Sequence, residues 1–439
     1  MTSGKSPGPA LHTKILAGLL IGGVLGLLAN TQLGGHHPLV DWVNRYLAYP
    51  AGQVFLRMLF MIVMPLVFAS IALGVAGLGD LRKVGRVGGK AIGYFLATTF
   101  LAASTGLVFV NMAKPGAGLD PEVKAGLMEA YSGAASEKVS IAKGGGFGVD
   151  TFVNIVTRNP VKSAADGDLL GLIFFALVFG AALTLIPAGK ARPMLELLEA
   201  VNAAVIAIVG MAMKLAPYGV TALIFGVTSR FGLALLAPLG GYILVVLGAL
   251  LFHAAVNMSL VLRFAVGLSP AVFFDRVRSA LITAFSTSSS SATLPAALSS
   301  AEQGLGVPPQ VAGFVLPIGS TMCMNGTSIF EGVTVIFLCQ VFGVDLTLGQ
   351  MVAVVVMAVI TAIGAAGVPG GSIPLMVGIM AMFGVPGEAI AIVLGVDRIL
   401  DMSRTTVNVY GDISAVVFVA RSEGVWKPSM VPPAEKAPA

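Results

Sequence analysis

Apolar residues run in long blocks along this chain, near 13–29, 50–78, 88–112, 169–187, 194–228 and 233–264. A bilayer core needs about 20 mostly apolar residues per helix, so each block is a predicted span. Basic residues cluster between them. Arg82, Lys83, Arg86 and Lys90 separate the second block from the third, Lys190 and Arg192 follow the fourth, and Arg263, Arg276 and Arg278 follow the sixth. With a cytoplasmic N-terminus, all of these clusters fall inside, as the positive-inside bias requires. The polar stretch from Lys114 to Asp168, rich in Gly, Ser and Ala, then lies outside and reads as a surface loop rather than a domain.

From about 270 to 420 the hydrophobic pattern continues, but it is broken twice. The first break is the serine run Ser286 to Ser291 ahead of Thr293-Leu294-Pro295; the second is Gly367-Val368-Pro369-Gly370-Gly371-Ser372. Irregular backbone at membrane depth is tolerated only where protein encloses it or it lines a watery cavity. Two re-entrant hairpins are therefore predicted, each followed by a long apolar segment, near 308–341 and 386–420. Paired interruptions of this kind point to an inverted-repeat transporter with its site at mid-membrane. A third interruption, Thr321 to Thr327, should unwind the segment after the first hairpin and free carbonyls for a small hard cation.

The second long segment carries the chemistry. Asp397, Asp401, Arg404, Thr405, Asn408 and Asp412 project at about 0, 40, 340, 80, 20 and 60 degrees around a helix, so they share one stripe. A charge at mid-bilayer costs upwards of roughly 2.5 kcal/mol, which makes such residues functional candidates by default. The stripe can grip both charged ends of an amino acid, and its carboxylates can hold a cation. Glu331, four residues beyond Thr327, falls under the same expectation.

Composition narrows the class. The chain has 439 residues, 56% hydrophobic and 11% charged, with a mean hydropathy of +0.92, whereas soluble domains carry about 25% charged residues. The net charge of +5 and pI near 9.2 come from loop Lys and Arg without a basic, aromatic-interleaved patch, so no nucleic-acid partner is expected. Cys323 and Cys339 sit in apolar surroundings and suggest neither a disulfide framework nor a cysteine metal cluster. No cleavable leader is read at the N-terminus.

Four motifs together resemble the dicarboxylate/amino acid:cation symporter family, the glutamate transporter homologues of the proton/sodium-glutamate symporter type. They are SSSSATLP at Ser288–Pro295, MNGT at Met324–Thr327, AGVPGGS at Ala366–Ser372 and the Asp397–Asp412 stripe, with MPLVFASIALG at Met64–Gly74 extending the likeness over nearly the whole chain. The resemblance implies an all-α membrane protein of eight transmembrane helices and two re-entrant helical hairpins. It also implies inverted repeats, an elevator-type transport domain and a homotrimer in the lipid bilayer of a bacterial inner membrane, with both termini cytoplasmic. The expected division is a cytoplasmic N-terminus at 1–12, scaffold helices at 13–80, a third helix of the transport domain at 81–112 and an extracytoplasmic insert at 113–168. Helices four to six follow at 169–264, the transport core at 265–420 and a cytoplasmic tail at 421–439.

By the same resemblance, Asp401 receives the substrate's ammonium group and Arg404 its side-chain carboxylate. Thr327 and Thr405 add hydroxyl contacts, and Asn408 holds the α-carboxylate with backbone groups near Ser290 and Val368. Arginine suits that role because its planar fork matches a carboxylate bidentately. In the family, neutral amino acid carriers lack the arginine and dicarboxylate carriers lack the aspartate; this chain has both. An acidic amino acid substrate, aspartate or glutamate, is expected, with a C4-dicarboxylate or a neutral amino acid as the alternative. No cofactor is expected, only transported sodium and/or protons. One sodium site is implied around Asp412 with Gly319, Thr321, Cys323 and Asn408. A further one at Thr98, Thr99 and Asn325 departs from the family pattern, because an amide stands where sodium-coupled members carry an aspartate. Glu331 occupies the proton-carrier position. A serine hydrolase is disfavoured, since His12, His36, His37 and His253 all lie far from the serine run in sequence. A channel is disfavoured by the Arg/Asp pair.

Overall fold

A computed structural model describes residues 11–35, 37–79, 86–117, 156–166, 169–232, 236–365, 370–394 and 396–432. Every regular element among these is helical. In chain order the principal ones are α1 (Leu11–Leu33), α2 (Tyr49–Phe60), α3 (Val63–Gly79), α4 (Arg86–Ala113), α5 (Leu169–Leu185), α6 (Ala188–Phe231) and α7 (Leu236–Phe252). The C-terminal part contributes α8 (Pro270–Thr287), α9 (Ser290–Ser299), α10 (Pro309–Met322), α11 (Asn325–Phe342), α12 (Leu348–Gly364), α13 (Ile373–Met382) and α14 (Asp397–Ser422). Among the described residues, five helical stretches are long and apolar enough to cross a membrane. Most of the 113–168 insert, the first ten residues, Arg82, Lys83 and the end of the tail lie outside the described residues.

The N-terminal helices pack through small residues. Gly18, Gly22 and Gly26, four apart, form one stripe of α1 against α6; a Cβ at Gly18 would lie 2.6 Å from the Pro217 carbonyl oxygen, and Gly22 and Gly26 are equally tight against Thr221 and Thr228. Such stripes let helices approach where lipid supplies no hydrophobic drive. The outer face of α1 leaves Leu20, Ile21, Val24, Leu25 and Leu28 exposed, as a lipid-facing helix would. The sixth element, α6, is longer than the 194–228 block predicted, running 44 residues through Pro193 and Pro217.

Two of the three predicted C-terminal breaks fall where the sequence placed them, and Gly367 to Pro369 of the other lie outside the described residues. α8 stops at Thr287 and α9 begins at Ser290, and α10 and α11 are interrupted only at Cys323 and Met324. The 386–420 segment is not one helix: a 3-10 turn at Gly387–Ile390 and a four-residue α-helix at Ala391–Leu394 precede α14, which starts at Asp397. The best apolar window across α10 and α11 is wholly enclosed by protein, which is the condition under which interrupted backbone survives in a membrane.

Two cores meet along α14. Leu400 and Val407 join a cluster with Phe330, Ile373 and Met376, while Tyr410, Ile413 and Val417 join one with Phe95, Phe273, Val277 and Trp426. Beyond the end of α14, Glu423 pairs with Arg86 at 2.7 Å and Lys90 at 2.6 Å. The Trp426 indole N–H donates to the Leu305 carbonyl at 2.8 Å, and Arg276 donates to the Pro432 carbonyl. The segment after α14 thus straps α4 to the base of the α8–α9 hairpin.

Candidate substrate and cation site

The serine run makes the reversal between α8 and α9. Ser288 takes a left-handed conformation (φ 51°) and ends α8, while the Ser289 hydroxyl caps α9 by accepting from the Ala292 N–H at 3.1 Å. A non-glycine residue held at positive φ is strained and tends to mark a functional turn. The N-terminus of α9, with its partial positive charge, opens on a cleft of about 260 Å³, its mouth included. Ser288, Ser290, Met324, Thr327, Ala365, Ser372, Asp401, Arg404, Thr405 and Asn408 line it. The sequence-predicted substrate residues Ser290, Thr327, Asp401, Arg404, Thr405 and Asn408 are thus gathered around one cleft. Val368 lies outside the described residues.

The stripe on α14 is buried along its whole length, from Asp397 to Asp412. Arg404 is fully committed within it. Its Nε donates to Asp401 Oδ1 at 3.0 Å, Nη2 lies 3.0 Å from the same oxygen, and Nη1 donates to Asp397 Oδ1 at 3.3 Å. The guanidinium also stacks over the Phe330 ring at 4.2 Å. Asp401 Oδ2 accepts the Gly370 N–H at 3.2 Å and faces Arg398 Nη1 at 3.8 Å. Buried charge pairs are tolerated only when geometry and extra hydrogen bonds offset desolvation, and here both carboxylates and both guanidiniums are paired. Neither the Asp397 pairing nor Arg398 belonged to the sequence-predicted site; the i, i+3 and i, i+7 spacing from Asp397 and Arg398 to their partners was the available signal.

Asn408 reaches across to the start of α11. Its Oδ1 accepts the Gly326 N–H at 2.7 Å and the Thr327 N–H at 3.3 Å, and its Nδ2 donates to Thr327 Oγ1 at 3.0 Å. The side chain serves as a cap for the first free amides of α11 while bordering the cleft.

Behind the cleft lies a second polar cluster. A Cβ at Gly319 would fall 2.9 Å from Asp412 Oδ1, and one at Gly411 would fall 3.0 Å from Cys323 Sγ and 2.7 Å from Asn325 Nδ2. Asp412 Oδ1 is buried without a hydrogen-bond partner among the described residues, as a carboxylate waiting for a cation would be. The Thr99 hydroxyl donates to Asn325 Oδ1 at 2.9 Å, whereas the Thr98 hydroxyl turns back to Tyr94 O at 2.9 Å. Thr321 stands apart: it is exposed, and its hydroxyl donates to Ile318 O at 3.0 Å. Glu331 is fully buried, its Oε2 accepting the Thr361 hydroxyl at 2.7 Å and its Oε1 unpartnered among the described residues.

Residues 11–422 match the sodium:dicarboxylate symporter family. The chain belongs to that family. Among similar members is a proton/glutamate-aspartate symporter of Escherichia coli (strain K12), 35% identical over 92% of this chain and 92% of its own length. A proton/sodium-glutamate symport protein of Bacillus subtilis (strain 168) is 35% identical over 95% of this chain and 94% of its own. A C4-dicarboxylate transport protein of the same organism is 34% identical over 85% and 87%. In this member of the sodium:dicarboxylate symporter family, the buried cleft presents an arginine and a carboxylate on its wall, and the unpartnered oxygen of Asp412 lies in the polar cluster behind it.

Proposed function

We propose that this chain is a secondary active symporter that imports an acidic amino acid, aspartate or glutamate, together with sodium and/or protons. The observation that carries the reading is the pairing of Arg404 with Asp401 on the wall of one buried cleft. An α-amino dicarboxylate replaces that internal pair with two new ones: its ammonium takes Asp401 and its side-chain carboxylate takes the fork of Arg404. The serine-capped N-terminus of α9 and the Thr327, Thr405 and Asn408 side chains then meet the α-carboxylate. Sodium is held at Asp412 with carbonyls of the α10–α11 break near Gly319 and Cys323. A weaker site at Thr99 and Asn325, with Thr98 beside them, has no charge of its own. Glu331 carries a proton.

The same reading includes eight transmembrane helices, two re-entrant hairpins and a homotrimer in a bacterial inner membrane, both termini inside. The body formed by residues 81–112 and 265–420 would move as an elevator. Uptake of labelled L-aspartate into proteoliposomes, with sodium and pH gradients imposed separately, tests the function. Accumulation driven by either gradient and competed by L-glutamate is expected; no uptake under both would overturn it.

A further inference from the structure

Arg398 is a buried guanidinium that the proposed binding scheme does not use. Its side chain is 8% exposed, it lies one turn from Asp401 on the edge of the α14 stripe, and it does not line the cleft. Nη1 faces Asp401 Oδ2 at 3.8 Å, and Nε is buried without a partner among the described residues. An arginine kept only for packing would have its donors satisfied by carbonyls, since an unmet buried donor is costly. Here the guanidinium instead faces Asp401, the one carboxylate among the described residues that line the cleft.

The charges on the stripe decide what this does. The two oxygens of Asp401 have different partners: Arg404, which lines the cleft, holds Oδ1, while Oδ2 accepts the Gly370 N–H and faces the Arg398 guanidinium, neither of which is among the lining residues. A ligand that draws Arg404 onto its own carboxylate takes away the cleft-side partner of Asp401. An amino acid replaces that partner with its ammonium. A dicarboxylate without an amino group has nothing to put there, and with Asp401 bare it would sit beside a repelling carboxylate. With Arg398 in place, Asp401 stays half of an ion pair.

We infer that Arg398 is a specificity-determining residue, which compensates Asp401 from outside the cleft lining and so lets the cleft accept C4-dicarboxylates lacking an amino group as well as acidic amino acids. The inference rests on the proposed substrate assignment. It acts through Asp401, so Arg398 positions and neutralises rather than touching the ligand.

The test is competition against labelled L-aspartate in proteoliposomes, comparing unlabelled succinate with unlabelled L-aspartate. The wild-type protein should be inhibited by both. In Arg398→Ala and Arg398→Gln the ratio of the succinate to the L-aspartate inhibition constant should rise at least about tenfold, and Arg398→Lys should return it toward the wild-type value. A purely structural role would shift both constants together and leave the ratio alone, which would overturn the inference. So would failure of succinate to compete in the wild-type protein, a measurement that needs no variant. Either result with L-aspartate uptake intact removes the role of Arg398 alone, whereas absence of L-aspartate uptake removes the substrate assignment and this inference with it.

Discussion

Arg404 is held by two carboxylates and an aromatic face, so its removal has two separable effects. Arg404→Ala strands the substrate's side-chain carboxylate, a loss of about 2–5 kcal/mol by comparison with other truncated charge pairs. L-aspartate uptake should disappear while an ammonium-bearing neutral amino acid such as serine can still engage Asp401; unchanged aspartate affinity in the variant would refute the assignment. Gly326 is constrained in another way. A Cβ there would run into the Arg404 backbone carbonyl, and backbone on α14 cannot step aside without moving the stripe. Gly326→Ala should therefore abolish substrate binding, read as loss of ligand-induced thermal stabilisation of the purified protein, whereas Gly313→Ala, which meets nothing within 4 Å, should leave that shift in place. The residues on the stripe were legible because polar and charged positions at helical spacing inside an apolar segment cost too much at mid-bilayer to be kept for packing. The partners of each residue were not legible. Spacing puts Arg398 within reach of Asp401 but does not say that Arg404 will hold both Asp397 and Asp401, or that Asn408 will cap a helix on another element.

At the scale of elements, the breaks in α8–α9 and α10–α11 were visible as clusters of Ser, Asn and Gly in hydrophobic surroundings. The division of the segment ahead of Asp397 was not read, although Pro386, Gly387 and Glu388 break its apolar run. The strap after α14 was hidden, since a tail of mixed polarity gives no periodic signal. Its ion pairs supply a pH prediction. Hydrogen bonds from Arg86, followed by those from Lys90, pull the Glu423 carboxyl down to about 2 from an ordinary 4.5. A carboxyl depressed by folding contributes stability that is fully present above its unfolded value and is lost as pH falls through the folded one. Purified Glu423→Gln should thus unfold at a lower temperature than the wild-type protein at pH 6, and the gap should close between pH 4.5 and pH 2. A gap that persists at the acid end would mean that Glu423 acts through packing instead.

At the scale of the whole molecule, coupling depends on which oxygens are left without partners. Asp412 Oδ1 and Glu331 Oε1 are such oxygens among the described residues, while Asn325 brings no charge to the cluster at Thr99. Carrying a neutral carboxylic acid through a low-dielectric interior costs less than carrying a carboxylate. Glu331→Gln should therefore abolish the stimulation of uptake by external acid while leaving exchange of substrate across the membrane; uptake indifferent to pH in the wild-type protein would reject a proton at this position. Asn325→Asp should make uptake more steeply dependent on sodium concentration, measured as a higher Hill slope. Four of the five charges along the stripe act differently. Asp397, Asp401, Arg398 and Arg404 cancel as two negative and two positive groups, so a body that carries them through the membrane does no electrical work on their account. One surplus elementary charge would be worth about 2.3 kcal/mol for every 100 mV of membrane potential. These four groups therefore add nothing to the charge moved in the loaded step, and Asp412 is the surplus negative charge of the stripe that a bound cation offsets. Since fixed charges return with the empty body, the charge recorded per molecule of aspartate over a full cycle reports the cations it travels with, less the charge of the aspartate itself.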